Sequence, residues 1–208
     1  MHASGTIYVA YGPPALAEMR RSVAGLWQFN DLDVAVIGAL GTQLDLDGAQ
    51  LIPFNQPGPG ARWAKLNTDL LAPPAWRHIL YLDADTRVLG DVTAPFAMLD
   101  DGFDLVLTPS QNQGADVLCH IGSDDRSDTI DALCNPEPLQ LQAGVMWFDR
   151  VRCARLFAAW REEWKKHHAQ DQGALLRALD REPVRVHILG RAWNGGSIVE
   201  HKFGKARR

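Results

Sequence analysis

With 208 residues, a 46% hydrophobic share and 22% charged residues, the chain is long enough to close one globular domain around a sizeable core. Its formal net charge of −4 speaks against a general nucleic-acid binder. No run of about eighteen apolar residues marks a transmembrane helix. The first residues lack the basic start and long apolar run of a signal peptide. The three cysteines, Cys119, Cys134 and Cys153, show neither metal spacing nor even pairing, which fits free thiols in a reducing compartment such as the cytoplasm.

Residues 5–10 read as a buried strand that ends in Ala10-Tyr11-Gly12 and breaks at Pro13-Pro14. A strand ending in a small residue, an aromatic and a glycine suits ligand contact at the carboxyl edge of a sheet; a plain strand and turn suits the same residues equally. Residues 14–28 predict a helix with Leu16, Met19, Val23, Leu26 and Trp27 on one side. Residues 33–39 predict the second strand and 51–54 a short third one, pushed toward the sheet edge by Pro53. After a Pro/Gly loop, residues 61–71 predict one helix. Trp63, Leu66 and Leu70 lie on one face of it, Arg62 and Lys65 on a neighbouring one.

His78-Ile79-Leu80-Tyr81-Leu82 reads as a buried strand that runs straight into Asp83-Ala84-Asp85. Alternation along a strand puts both carboxylates on one face, at the edge where an open α/β sheet receives ligands. Two carboxylates so placed repel unless a cation lies between them. A hard divalent metal suits carboxylate oxygen and in turn binds phosphate. The pattern is cheap alone: Asp31/Asp33 and Asp45/Asp47 repeat it in loop-like settings, and a turn or cap accounts for Asp83 and Asp85 as well. Only Asp83/Asp85 follows a strongly apolar strand. Arg62 and Lys65, just before it, stand open between phosphate ligands and solvated helix charges.

Residues 104–108 predict another strand. The polar stretch 110–138, with Asp124, Asp125, Asp128 and Asp131, predicts an irregular segment, either disordered or a lid. Residues 139–149 read as a strand whose Gly144 signals close approach of a ligand or another backbone. Asp149 suits the N-cap of a helix to about His167, with Val151, Leu156, Phe157, Trp160 and Trp164 as its apolar stripe. His167 and His168 at its carboxyl end suit the helix dipole and need no metal. Asp171 is the default cap of a helix over 174–179. Residues 184–189 are a late strand, and Trp193-Asn194-Gly195-Gly196 is a turn.

In chain order, Ala64-Lys65-Leu66, Tyr81-Leu82-Asp83-Ala84-Asp85-Thr86, Gln142-Ala143-Gly144-Val145, Asp171-Gln172-Gly173, Trp193-Asn194 and His201-x-x-Gly204 resemble family 8 of the glycosyltransferases. That family includes glycogenin and bacterial lipooligosaccharide galactosyltransferases, and the likeness runs over residues 5–205. It implies the GT-A fold: a single α/β domain with a Rossmann-like, mostly parallel central sheet flanked by helices. Residues 5–109 would form the nucleotide-binding half and 110–208 the sugar and acceptor half. It also implies a metal-dependent hexosyltransferase that uses a nucleotide sugar, UDP-sugar above others, and retains anomeric configuration.

Residue by residue, the resemblance implies that Asp83, Asp85 and His201 hold Mn2+, or Mg2+, which suits a mixed O/N site less well. Ala10, Tyr11 and Gly12 would meet the base. Arg62, Lys65, Asp83 and Ala84 would meet the phosphates and sugar, with Gln142 and Gly144 lining the sugar pocket and Gly204 and Lys205 wrapping the phosphates. Asp171 and Gln172 would stand beside the anomeric carbon as the catalytic pair. The partners implied are a nucleotide sugar and a glycan, lipid, protein or small-molecule acceptor. The basic tail, Lys202, Lys205, Arg207 and Arg208, suits anionic lipid at the inner membrane face, a charged acceptor, or plain solvation, the commonest outcome for such a tail. The chain departs from the family at two places. Gln142 stands where the family carries Asn, and Lys205-Ala206-Arg207-Arg208 follows where the family continues to Lys-Pro-Trp. Two other readings stay open: a weak or inactive binding protein of the same fold, and a nucleotidyltransferase. The missing Gly-rich amino-terminal phosphate loop speaks against the latter.

Overall fold

Every residue of β1 (Ser4–Val9) after Ser4 is buried, because the strand has a neighbour on each side and a packed layer on each face. It pairs in parallel with β2 (Asp33–Gly38) and with β4 (His78–Asp83). The structure, a computed structural model, describes residues 3–55, 60–110, 118 and 120–202. Adding β3 (Ala49–Pro53), β6 (Leu105–Pro109), β7 (Leu141–Asp149) and β8 (Val186–Ile188) gives a seven-stranded sheet in the order β3-β2-β1-β4-β7-β6-β8. Only β7 runs against the rest, antiparallel to both β4 and β6. A second, two-stranded antiparallel sheet joins β5 (Thr86–Val88) to β9 (Val199–His201).

The strand order reverses at β1: β2 and β3 lie to one side and β4 to the other. The crevice outside the carboxyl ends of β1 and β4 is therefore the switch point where open α/β sheets take ligands. Because β7 is reversed, its beginning rather than its end lies at that edge.

Alternation splits the core into two layers. Ile7, Val9, Ile79 and Tyr81 enter one, with α6 (Ala154–Lys165) and α7 (Asp171–Arg181). Tyr8, Ala10, Leu80 and Leu82 enter the other, with α1 (Gly12–Phe29) and α4 (Ala94–Asp100). Proline in the first turn of α1 presets its helical φ, and Met19, Val23 and Leu26 form its buried stripe.

Several expectations need correction. The helix over 61–71 is two pieces, α2 (Ala61–Lys65) and α3 (Thr68–Leu71). The side chain of Asn67 donates to Trp63 O (2.7 Å) and Thr68 Oγ1 to Lys65 O (2.9 Å), taking carbonyls that a continuous helix uses. Leu70 consequently faces solvent. Within the stretch expected to be irregular lies α5 (Ser123–Leu133), fastened through the buried pair Asp125–Arg177 at 2.6 Å rather than by an apolar stripe. Asp149 caps the turn before α6: its Oδ1 accepts from the backbone N–H of Val151 and Arg152 at 2.9 and 3.0 Å. Val151 is exposed, while Leu156, Phe157, Trp160 and Trp164 are buried as expected. His167 pairs with Asp128 at 2.9 Å and His168 lies edge-on to Trp164. Cys134 and Cys153 are both free. Among the described residues no helix is long and apolar enough to cross a membrane.

Candidate active site

β4 ends on Asp83, a turn carries Ala84 and Asp85, and β5 begins at Thr86. Asp85 is therefore outside the strand, and the two carboxylates converge through the turn rather than through alternation. A buried hydroxyl chain pins that turn. Thr86 Oγ1 donates to Asp83 O (2.9 Å), Ser22 Oγ meets Thr86 Oγ1 (2.8 Å), and Tyr8 Oη meets Ser22 Oγ (3.1 Å). Thr86 also pairs with His201 in the β5–β9 ribbon, which carries the imidazole to the turn from the far end of the chain. His201 Nε2 lies 3.1 Å from Asp85 Oδ1 and 3.6 Å from Asp83 Oδ2. One ligand atom from each of Asp83, Asp85 and His201 falls within 4.8 Å of the others. The second oxygen of Asp83 is occupied: Oδ1 accepts from Tyr81 Oη at 2.7 Å, which leaves Oδ2 for the cluster.

Gly144 explains how the cluster closes. Between Val106 and Thr108 the partner on β7 jumps from Trp147 to Gln142, so residues 143–146 oppose Leu107 alone. Such bulges recur beside active sites, where they re-aim the chain. A Cβ on Gly144 would lie 2.3 Å from His201 Cε1 and 2.6 Å from Asp83 Oδ2. The close approach signalled by this glycine is thus made by two of the chain's own side chains, His201 and Asp83, rather than by a bound molecule or another backbone.

Lys65 and Asp171 lie behind the carboxylates. Buried Lys65 Nζ stands 2.6 Å from Asp171 Oδ2, 3.6 Å from Asp83 Oδ1 and 5.0 Å from the centre of the Tyr81 ring. Burial works against its charge, and the carboxylates of Asp171 and Asp83 outweigh burial, so its pKa is raised. Asp171 is also desolvated, but Lys65 holds its carboxyl below the usual range. Asp171 opens α7 as a helical residue, and no side-chain cap bond marks that end. The cap expectation fails because the carboxylate is turned to Lys65 instead. Its carbonyl is fixed by the buried indole Nε1 of Trp160 at 2.8 Å.

Beside this pair runs an amide network. Gln172 Nε2 donates to Gln142 Oε1 at 2.6 Å; Gln172 Oε1 accepts from Gln140 Nε2 at 3.1 Å and also meets His120 Nε2. The family's shorter Asn at position 142 has one methylene less with which to span to Gln172. Burial lowers the pKa of His120, against an opposing pull from Asp171. His120 and Gln140 carry no signal in the sequence; both fall in or beside the polar stretch expected to be irregular.

The remaining predicted residues are spread along the same edge. Buried Ala10 donates its N–H to Ile37 O (2.9 Å), and half-buried Tyr11 donates its hydroxyl to Phe54 O (2.6 Å), closing the ends of β1 to β3. Gly12 has φ +79°, a left-handed value that glycine adopts freely. Arg62 is on the exposed rim, where it donates to Gln170 Oε1 at 2.9 Å and its charge still acts on Lys65 and Asp171. Gly204 and Lys205 lie outside the described residues. The structure thus gathers Lys65, Asp83, Asp85, Gln142, Gly144, Asp171, Gln172 and His201 into one crevice, with Ala84 in its turn. Asn194, quoted in the sequence as part of a turn and of the resembling Trp193-Asn194 pair but given no role, joins them: its Oδ1 lies 2.8 Å from His201 Nδ1, and its Nδ2 donates to Thr108 Oγ1 at 2.9 Å.

No family model matches the chain and no curated sequence does. Solved structures match it by shape. Mouse xyloside xylosyltransferase 1 aligns with a TM-score of 0.61 at 13% identity, over 92% of this chain and 86% of that one. Galactosyltransferase LgtC, solved with donor and acceptor sugar analogs, aligns with a TM-score of 0.63 at 16% identity, over 98% and 81%. The glycosyltransferase GlyE of Streptococcus pneumoniae TIGR4 aligns with a TM-score of 0.62 at 15% identity over 93% of this chain, which spans only 46% of GlyE. At these identities the likeness is one of fold. The fold of this chain is GT-A, of the kind that these family 8-like glycosyltransferases share.

Proposed function

We propose that the chain is a metal-dependent glycosyltransferase that moves a hexose from a nucleotide sugar, with UDP as its nucleotide, to an acceptor with retention of configuration. One observation carries the reading. Two carboxylates and an imidazole converge within 4.8 Å at the switch point, directly beside a buried lysine that two carboxylates keep charged.

Asp83 Oδ2, Asp85 Oδ1 and His201 Nε2 would hold a divalent cation. The donor set fits: two hard oxygens bring negative charge together, and the imidazole nitrogen favours Mn2+ over Mg2+. Such an ion supplies positive charge to a departing diphosphate. Lys65 would add a second positive charge at the same leaving group, prearranged because burial and its partners hold it in place. Gln172, its amide fixed by Gln142 on one side and by Gln140 and His120 on the other, would orient the sugar hydroxyls. Asp171 would oppose the positive charge that develops at the sugar carbon. Ala10, Tyr11 and Gly12 would receive the base at the end of β1. Retention follows when the acceptor attacks on the face from which the diphosphate leaves, its proton passing to the departing phosphate.

The test is a screen of nucleotide sugars for Mn2+-dependent hydrolysis, together with melting curves in UDP with and without Mn2+. Ligand at about a hundred times its dissociation constant stabilises by about 2.7 kcal/mol. A melting temperature that no nucleotide moves in Mn2+ would overturn the reading.

A further inference from the structure

His201 reaches the carboxylates from a three-residue strand, and a two-stranded ribbon of that length does little to fix the rotation of an imidazole. Something else must set which nitrogen faces Asp83 and Asp85. The ring's other edge answers this. His201 Nδ1 lies 2.8 Å from Asn194 Oδ1, and Asn194 Nδ2 donates to Thr108 Oγ1 at 2.9 Å. All three side chains are buried, with relative exposures of 7% for His201, 2% for Asn194 and 1% for Thr108.

The support is itself well anchored. Trp193 lies edge-on to buried Trp147, with ring centroids 5.7 Å apart. The N–H groups of Gly195 and Gly196 both donate to Val199 O, at 2.7 and 3.1 Å, and so turn the chain back into β9. Thr108 lies on β6 just past the point where its register with β7 jumps. A neutral imidazole carries one N–H and one lone pair, so a proton committed to one nitrogen leaves the other as acceptor or metal ligand.

We propose that Asn194 is a positioning residue for the metal centre. Its carbonyl oxygen takes the Nδ1–H of His201, and this fixes the tautomer whose Nε2 lone pair points at Asp83 and Asp85. Thr108 holds the other end of the amide, its hydroxyl oxygen accepting from Asn194 Nδ2. The proposal rests on the metal-dependent reading above, and adds to it that the histidine ligand is aimed before any ion arrives.

The experiment measures Mn2+ binding to the full chain without nucleotide, by the electron paramagnetic resonance of free Mn2+. Wild type is compared with Asn194→Ala, Asn194→Asp, Thr108→Val and Asp85→Ala. Loss of a partner behind a metal-bound histidine costs about 10- to 100-fold in metal affinity, and that loss is expected for Asn194→Ala. Asn194→Asp keeps an oxygen for Nδ1–H and is expected to bind within about threefold of wild type or tighter, a rescue that a purely structural asparagine would not show. Thr108→Val, with the amide intact, is expected to fall between wild type and Asn194→Ala, and it preserves the test should Asn194→Ala fail to fold. In histidine-labelled protein loaded with diamagnetic Mg2+, the nitrogen spectrum of His201 is expected to show the proton on Nδ1. Wild-type affinity in both Asn194→Ala and Thr108→Val, or a proton on Nε2 in the loaded protein, would overturn the proposal while leaving the metal site standing. Equal, negligible binding in wild type and Asp85→Ala would instead defeat the metal-dependent reading itself.

Discussion

Lys65 Nζ and Asp171 Oδ2 meet at 2.6 Å in the floor of the crevice, although one closes α2 and the other opens α7. A buried pair adds little over an apolar pair of similar volume, yet removing one partner strands the other. Lys65→Met is expected to cost about 3–5 kcal/mol in urea unfolding, and adding Asp171→Leu is expected to restore most of it. The single variant unfolding like wild type would contradict the pair's desolvation.

Gly144→Ala tests the packing of the cluster. The new methyl would have to displace the His201 ring or the Asp83 carboxylate. Overpacking of this kind costs about 1–3 kcal/mol. The larger effect is expected on Mn2+ affinity, because both groups it strikes are ligands in the proposed site. Calorimetric titration of Mn2+ into the folded variant measures this, and wild-type affinity would show that the cluster tolerates a side chain there.

Gln172→Glu keeps the side chain's length but removes the N–H that reaches Gln142, and adds negative charge beside Asp171. Turnover of the donor is expected to fall about a hundredfold, the scale of losing one oriented donor in an active site. Because Gln172 is buried, the added charge is also expected to lower the melting temperature, so turnover is compared on folded protein. Unchanged kcat would remove Gln172 from the proposed catalytic pair.

Away from the crevice, Glu163 ties α6 to α7. It receives Lys166 and Arg181 at 2.7 Å and Arg177 at 3.0 Å. Burial raises its pKa, and the three cations outweigh burial to bring it to about 2. Because the folded value lies below the unfolded one of about 4.3, its contribution is complete above that pH and fades as the pH falls toward the folded value. Glu163→Gln is expected to lower stability at pH 7. It should also flatten the acid limb by about 1.4 kcal/mol per pH unit across that window. Parallel acid limbs in the two proteins would contradict the ionic tie.

The strands that build the switch point were legible from their residues. β1, β2 and β4 are apolar runs closed by glycine, proline or aspartate, and α1 shows its stripe over several turns. Asp83 and Asp85 were legible for the same reason: they end such a run. The elements that complete the site were not. β5 and β9 have three residues each, too few to show a period, and their pairing alone brings Thr86 and His201 together. The break in the helix after Lys65 turns on two side-chain bonds, from Asn67 and Thr68. α5 has no apolar stripe to read, since Asp125 and Thr129 are what it buries. His120 and Gln140 reach Gln172 only through that folded segment.

The reversed direction of β7 has a consequence for how such a chain can change. β6 ends and β7 begins at the same rim, the one holding the crevice, and Ser110 N–H donates to Gln140 O at 2.8 Å where the excursion between them starts and returns. Among the described residues of that excursion, α5 is tied to α7 through Asp125 and Arg177, and His120 reaches Gln172. Changes in it away from those ties would leave the pairing of β6 with β7 as it is. Under the proposed function, such changes at one edge of the sheet would leave the residues proposed to grip the donor where they are.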